Sequence, residues 1–328
     1  MPVTEMFLGT SAFGDDTGIM RAYFDTDSGK IEVFDHIRLE RAVFLARSSD
    51  KDIIYASCKE GAAAVNIKDG MRLASIQPVH ASASCHIFAS ENHLFTASYF
   101  EGRVTIFDLD CSGNILPHPF YIQHLGAGPN KARQECAHAH FVRLTPDGRY
   151  LAVCDLGLDK VMFYPYCKES GVSLKPIEIA CPPGSGPRHI AFSKRGDFMY
   201  VVTEMGNTVL VFKYNCGSAE LIQEIGTLPE GFTGEDTASA IKISPDGMLL
   251  AVGNRGDDSI AVFAIESEGL LALSHHFKVG KCPRDIEFDP SGKFILCAEQ
   301  EENRIGVYDI NGKPVFSLFY EAPSCILF

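Results

Sequence analysis

The sequence predicts an all-β fold, a seven-bladed β-propeller. Three observations lead to this prediction: an internal repeat, the turns within each repeat, and the incomplete repeats at the two ends of the chain. Four stretches share one pattern, in which a short apolar run, a tight Asp/Gly turn and a second apolar run precede a polar stretch and a third run ending in Phe or Tyr. They begin at His138, Gly186, Ser239 and Pro283. Repeated short strands with a period of about 45 to 51 residues and no helix between them are typical of propeller blades.

The repeat extends towards the N-terminus. Stretches of the same form begin at Val43, with a turn near Asp50, and at Cys85, with a turn near Asn92. Asp and Gly favour the backbone conformations of tight turns, so we interpret the Asp/Gly positions as turn chemistry. The turn glycines of the four clearest repeats are Gly148, Gly196, Gly247 and Gly292.

The two ends of the chain supply a seventh blade. The segment from Phe7 matches the second, third and fourth strands of a repeat, and the segment from Ala322 matches a first strand. Joining them completes the last blade and removes the open edge of an unfinished ring. We therefore expect a single domain over residues 1–328, with its longest irregular stretch, roughly Gly113 to Ala137, as an insertion on one face.

Composition restricts the partners. The net charge of −13 disfavours nucleic acid and anionic membrane surfaces. No apolar segment approaches the length of a membrane span, no charged-then-apolar leader is evident, and the eleven cysteines include no CxxC pair. These features predict a cytoplasmic protein with reduced thiols. We expect a monomer or weak homo-oligomer, although the composition does not determine the oligomeric state. On so acidic a chain, a cluster of arginines needs an explanation.

Strand geometry indicates where the chemistry lies. The first strand of each blade lines the central channel, and the start of this strand lies beside the end of the second strand at one rim. Residues equidistant from the turn are then cross-strand neighbours. This count pairs His140 with Asp155, Arg188 with Thr203 and Glu204, Ser239 with Asn254 and Arg255, and Arg284 with Glu299.

Short motifs at blade spacing carry a family resemblance. The chain resembles the seven-bladed lactonase family, which includes the propeller type of 6-phosphogluconolactonase and the fungal carboxy-muconate lactonizing enzymes. The resemblance covers essentially the whole chain, and its marks are His138-Ala139-His140, Asp155-Leu156-Gly157 with Asp159, Gly186-Pro187-Arg188-His189, Glu204, Asn254-Arg255-Gly256 and Pro283-Arg284.

The resemblance implies roles for individual residues. It implies His140, Glu204, Arg188 and Arg255 as the catalytic residues. Around them we expect a substrate-binding set of His138, Asp155, His189, Ser239, Asn254, Arg284 and Glu299. The implied reaction is hydrolysis of a sugar-acid lactone, with 6-phosphoglucono-δ-lactone of the pentose phosphate pathway as the expected substrate.

The residue types suit this chemistry. Opening a lactone needs a base to activate water and a group to stabilise the oxyanion. His140 is suited to proton transfer near neutral pH, and Asp155 is expected to orient it. Glu204 is the alternative base. Arg188 and Arg255 suit a carboxylate, a phosphate or a developing oxyanion.

Other functions are open at this stage. Six-bladed lactonases of a different family use a divalent ion, but this mouth offers arginines rather than the carboxylates that a hard cation needs, so we expect no metal and no cofactor. A WD-type interaction propeller is disfavoured because the chain has no tryptophan. A muconate-type lactonizing cycloisomerase and a non-catalytic binding propeller remain as alternatives.

Overall fold

A computed structural model describes residues 3–14, 16–48, 52–79 and 84–328. Within these ranges the chain forms 29 β-strands and two three-residue 3₁₀ turns, Ser267–Gly269 and Gln300–Glu302. In the same ranges, no helix has the length and apolar character needed to cross a membrane. The all-β, seven-bladed prediction is confirmed, whereas the turn predicted near Asp50 lies outside the described residues.

The strands form seven antiparallel sheets, one per blade. The first four blades along the chain are β1 Val3–Thr10, β2 Gly18–Asp25 and β3 Ile31–Arg38 with β29 Pro323–Leu327; β4 Phe44–Arg47, β5 Ile53–Cys58, β6 Gly61–Asn66 and β7 Arg72–Gln77; β8 His86–Ala89, β9 His93–Ser98, β10 Arg103–Asp108 and β11 Phe120–Gln123; and β12 Ala139–Leu144, β13 Tyr150–Asp155 and β14 Lys160–Cys167 with β15 Gly171–Val172 and β16 Ile177–Ala180. The remaining three are β17 Pro187–Phe192, β18 Phe198–Thr203, β19 Thr208–Asn215 and β20 Ser218–Gly226; β21 Ala238–Ile243, β22 Leu249–Asn254, β23 Ser259–Ile265 and β24 Leu271–Lys278; and β25 Pro283–Phe288, β26 Phe294–Glu299, β27 Arg304–Asp309 and β28 Pro314–Phe319.

The N-terminal and C-terminal segments close the ring, as the sequence predicted. Strand β29 pairs antiparallel with β1, so the strand nearest the C-terminus is the first strand of the N-terminal blade. The first strands then contact each other in one circuit, β29, β4, β8, β12, β17, β21, β25 and back to β29. These strands surround the central channel.

The hydrophobic core lies between blades. Phe107, Phe212, Phe263 and Tyr308 end third strands or lie close to those ends, and each is buried in a different interblade cluster. Their aromatic rings fill the wedge between neighbouring sheets, where each buried ring contributes about 1.5 to 3 kcal/mol. Neighbouring blades are therefore joined by packing between their sheets.

One predicted irregular stretch is partly regular. Residues Phe120–Gln123 form β11, the outer strand of their blade, within the segment predicted as an insertion from Gly113 to Ala137. Alternating residues in such a short edge strand give little periodic signal. The loop that follows β11 contributes to the channel mouth described below.

Ile326 provides a test of the ring closure. It lies on β29, is 1% exposed and packs with residues of the N-terminal blade and of the neighbouring blade. Because truncation leaves a cavity at this junction, Ile326→Ala should lower the free energy of unfolding by about 2 to 5 kcal/mol in urea titrations.

The matched control is Ile177→Ala on the outer strand β16, where the side chain is 40% exposed. That substitution should change the free energy of unfolding by less than about 1 kcal/mol. Equal effects of the two variants would contradict the packing described for β29.

Candidate functional site at the channel mouth

A β-bulge shapes the rim of the channel. In the blade of β12, Ala139 pairs with Asp155 and Phe141 with Cys154, so that His140 is an extra residue without a cross-strand partner. Such bulges re-aim a side chain and are frequent beside functional sites. The register of the next three blades shifts at the equivalent position, which holds Arg188, Ser239 and Arg284 respectively.

These bulges shift the predicted pairing by one residue. The residues that face Asp155 and Glu299 are Ala139 and Pro283, whereas the prediction placed His140 and Arg284 there. The prediction was wrong because a count outward from the turn assumes an unbroken ladder. An extra residue does not alter the apolar pattern, so the sequence carries no mark of it.

The expected partnership of Asp155 with His140 is also wrong. Asp155 is fully buried, and its carboxylate accepts a hydrogen bond from the backbone N–H of His138 at 2.8 Å and lies 2.6 Å from His124 Nδ1. Tyr164 Oη lies 2.9 Å from the other ring nitrogen of His124. Asp155 therefore ties its own blade to the loop after β11 and does not orient His140.

Glu299 and Asn254 are likewise turned into their blades. Glu299 is fully buried, accepts a hydrogen bond from the Gly280 backbone at 3.0 Å, and forms an ion pair with Arg304. Asn254 donates to the Thr227 carbonyl at 2.8 Å. Consecutive residues of a strand point to opposite faces, and it is Glu204 and Arg255, directly after β18 and β22, that reach the mouth. The structure does not bring these two side chains to the site.

Glu204 lies at the centre of the channel mouth. It immediately follows β18, and its carboxylate accepts from Arg188 Nε at 3.0 Å and lies 2.9 Å from Arg255 Nη2. Arg133 Nη2 binds the other carboxylate oxygen. Burial alone would raise the pKa of Glu204, but the charges of Arg255 and Arg188 outweigh it and hold that pKa well below its usual range.

Arg188 is the most buried of these cations, with 2% of its surface exposed. Its Nη1 donates to the Ser239 carbonyl at 2.7 Å and to His189 Nε2 at 3.2 Å. Burial, with the nearby Arg255 and Arg284, lowers the pKa of Arg188 to about 9. The group therefore stays charged at neutral pH and is fixed in position.

Ser239 and His189, both predicted to bind substrate, contact Arg188. The Ser239 hydroxyl donates to the Pro283 carbonyl at 2.5 Å and lies 3.1 Å from the Gly253 carbonyl, so it is the backbone oxygen of Ser239 that contacts Arg188. His189 is 5% exposed and contacts Arg188 by its Nε2. Both residues position Arg188.

His140 lies beside these cations without a hydrogen-bond partner for its Nδ1 among the described residues. It is 4% exposed, and its ring centroid lies 5.2 Å from that of His189 and 5.8 Å from that of Tyr99. Burial and the charge of Arg188 hold the pKa of His140 well below its ordinary value. The imidazole is thus neutral at physiological pH and has a nitrogen available to take up a proton.

Arg284 is the half-buried cation at the bulge of β25. Its pKa is lowered by burial and by Arg255, which shows that it shares the field of this cluster. Within the part of the chain that the structure describes, no carboxylate forms an ion pair with it. Arg284 is therefore a cation available to an anionic ligand.

His138 lies beside the mouth in a group that has metal-ligand chemistry. Its ring stacks on Tyr99 at 4.2 Å, and its Nδ1 lies 2.9 Å from the Tyr99 carbonyl. Its Nε2 lies 3.4 Å from Glu135 and 3.9 Å from Cys136 Sγ, and these three residues form a group whose ligand atoms are close enough to hold one ion. The absence of a metal from the reaction stays a prediction.

Arg133 was not predicted as a site residue. It belongs to the loop between β11 and β12, and its partly exposed guanidinium reaches across to Glu204. Loop residues have no periodicity from which a position follows. One signal could have pointed to Arg133 as a site residue: it is an arginine in the predicted insertion of a strongly acidic chain.

The ion pairs of Glu204 generate a stability prediction. Glu204→Gln leaves three guanidinium groups around one buried position without a counter-charge. The variant should lose about 3 kcal/mol of unfolding free energy in denaturant titrations, since an uncompensated buried charge is costly. The matched control is Glu178→Gln, whose pair with Lys160 is exposed and which should cost less than about 1 kcal/mol. A Glu204→Gln variant as stable as the control would contradict this account of the mouth.

Comparisons with known proteins agree on one family. The model of the family described as Lactonase, 7-bladed beta-propeller, matches residues 5–315. A Bacillus subtilis protein named 6-phosphogluconolactonase is 32% identical over 317 residues, which cover 92% of this chain and 90% of that protein.

Two solved structures are similar along nearly their whole length. The Pseudomonas aeruginosa periplasmic gluconolactonase PpgL has a TM-score of 0.91 at 28% identity and covers 99% of this chain and 98% of its own. A Lactobacillus plantarum protein has a TM-score of 0.89 at 27% identity, with 99% of each chain covered. Together with the family match, these similarities show that the chain belongs to the seven-bladed β-propeller lactonase family.

Proposed function

We propose that this protein hydrolyses 6-phosphoglucono-δ-lactone to 6-phosphogluconate at the channel mouth, as part of the pentose phosphate pathway in the cytoplasm. The observation that carries the proposal is a neutral imidazole beside a cluster of guanidinium groups: that of His140, whose Nδ1 has no hydrogen-bond partner among the residues that the structure describes. Membership of the lactonase family and the similarity to a protein named 6-phosphogluconolactonase support it.

His140 is the general base in this proposal. Its imidazole takes a proton from water as the oxygen of that water attacks the lactone carbonyl. Glu204 is a weaker candidate, because both oxygens of its carboxylate are occupied by Arg188, Arg255 and Arg133.

The arginines stabilise the negative charge that forms on the carbonyl oxygen. Arg188 and Arg255 are held by Glu204 at 3.0 Å and 2.9 Å, so their positions are set before substrate binds. Preorganised donors of this kind lower the barrier because they need little rearrangement during the reaction. When the tetrahedral intermediate collapses, the ring oxygen leaves and accepts the proton from the His140 imidazolium, which yields the open hydroxy acid.

Arg284 accounts for the anionic group of the substrate. It is the mouth arginine that has no carboxylate partner in the described ranges, and a phosphate is a suitable partner for a free guanidinium. A muconate-type substrate would bring two or more carboxylates. One free cation fits a substrate with one anionic group better, so the hydrolase is favoured over the cycloisomerase.

Replacement of His140 gives a direct prediction. His140→Gln should lower kcat for 6-phosphoglucono-δ-lactone by about 100-fold or more, because the base is lost. Burial and Arg188 keep the wild-type imidazole neutral, so kcat/KM should stay near its plateau at about pH 6 and fall only as the pH drops below the lowered pKa of His140. An assay at about pH 6 also suppresses spontaneous hydrolysis. In His140→Gln the acid limb should vanish.

Each alternative has its own outcome in this assay. If His140→Gln hydrolysed the lactone as fast as the wild-type protein, His140 would not be the general base. Wild-type protein that is inactive on the lactone and consumes an unsaturated tricarboxylate would support the cycloisomerase. Ligand binding without turnover of either substrate would support the binding propeller.

Arg284→Met should act on recognition of the phosphate. Loss of one charge-assisted contact predicts a rise in KM of about tenfold or more for 6-phosphoglucono-δ-lactone, with less than about a twofold change for glucono-δ-lactone. The control is Arg195→Met, at an exposed position paired with Asp197 on the turn side of the ring. Equal effects of Arg284→Met on both lactones would show that Arg284 does not bind the phosphate.

A further inference from the structure

A second cavity lies at the opposite end of the channel, on the side of the Asp/Gly turns. We call it the turn-side cavity. Its volume is about 440 Å³, and residues near the ends of the first strands line it, among them Phe88, Arg143, Phe192 and Lys242. Neither Glu204 nor any arginine of the channel mouth is among its lining residues.

A layer of packed rings separates this cavity from the channel mouth. Phe44 and His86 have ring centroids 4.1 Å apart, His86 and Phe141 are 4.3 Å apart, and Phe141 and His189 are 5.2 Å apart. All four rings contribute to the cavity wall. The two ends of the channel are therefore distinct spaces with a common wall.

Three cations line the turn-side cavity, and they differ in their carboxylate partners. Lys242 Nζ lies 2.5 Å from Glu287, and Arg47 Nη2 lies 2.5 Å from Glu5, a carboxylate that also pairs with Arg21. Arg143 forms no ion pair among the described residues, and its Nε is buried without an acceptor.

The guanidinium of Arg143 is held against an aromatic face. Its Cζ lies 5.9 Å from the centroid of the Phe192 ring. A buried guanidinium nitrogen with no acceptor costs free energy, and an anion in the cavity would remove that cost. Arg143 is therefore the side chain that we expect to pair with an anionic group of a ligand.

The rest of the wall selects the body of the ligand. Aromatic and aliphatic side chains such as Phe88, Ile190 and Ile243 make up most of it, and the volume is within the range of small-molecule sites. A wall of this kind contacts a flat or branched apolar group.

We propose that the turn-side cavity is a second ligand site, which binds a small monocarboxylate with an aromatic or branched apolar body. The carboxylate pairs with Arg143, and the apolar body packs against Phe192 and the ring layer. This site is independent of lactone hydrolysis at the channel mouth, so its test uses binding and not turnover.

The probe is 3-phenylpropionate, titrated into the full-length protein by isothermal calorimetry or saturation-transfer NMR, with neutral 3-phenylpropanamide as the matched compound. The acid should bind saturably with a Kd of about 1 mM or lower, and the amide at least about tenfold more weakly. Arg143→Met should reduce binding of the acid to the level of the amide. Arg143→Lys, which keeps a charge, should recover part of it.

Two further variants make the result decisive. Arg255→Met alters the channel mouth alone and should leave binding of 3-phenylpropionate unchanged. Ala89→Phe fills part of the turn-side cavity without removing Arg143, and should abolish binding even if Arg143→Met folds poorly. The proposal is overturned if the acid and the amide bind equally, if Arg255→Met abolishes binding while Arg143→Met retains it, or if the wild-type protein shows no saturable binding.

Discussion

The β-bulge at the start of the first strands is the constraint on which the channel mouth depends. In an unbroken ladder, His140 would pair with Asp155 at the end of the second strand. Cross-strand partners lie on the same face of a sheet, so the His140 side chain would then point into the blade as that of Asp155 does. The extra residue frees His140, Arg188 and Arg284 from the ladder and directs each towards the axis. The residues that pair in their place, such as Ala139 and Pro187, keep the sheet intact.

Electrostatics then determines what this geometry can do. Glu204 gathers Arg188, Arg255 and Arg133 at a distance where, without it, they would repel each other. The carboxylate neutralises one of their charges and leaves the cluster positive. Burial, together with the charge of Arg188, keeps His140 neutral. One acidic residue thus fixes the arginine donors in place beside a neutral imidazole.

Repetition made much of the fold predictable. A blade motif that recurs six times allows the strands, the turns and the interblade aromatic rings to be placed by comparison within the chain, and the incomplete ends could be joined only in one way. Glu204 and Arg255 were placed at the channel mouth because a count outward from each turn brings them level with the start of a first strand.

The details of the site were less predictable. Asp155, Asn254 and Glu299 have residue types suited to binding a substrate, yet the period of the strand turns each into its blade. Arg133 comes from a loop, and its approach to Glu204 depends on the path of the backbone between two blades. Bulges and loop paths are set by three-dimensional packing, which no local pattern of polar and apolar residues records.

The closure of the ring by β1 and β29 has a consequence for biosynthesis. Pro323 leaves the ribosome about 320 residues after Val3, which corresponds to about 15 to 60 s of translation. During that time the apolar faces of the N-terminal blade have no neighbour on one side. The nascent chain must therefore remain protected from aggregation until Pro323–Leu327 emerge, and complete assembly of the ring follows the synthesis of these residues.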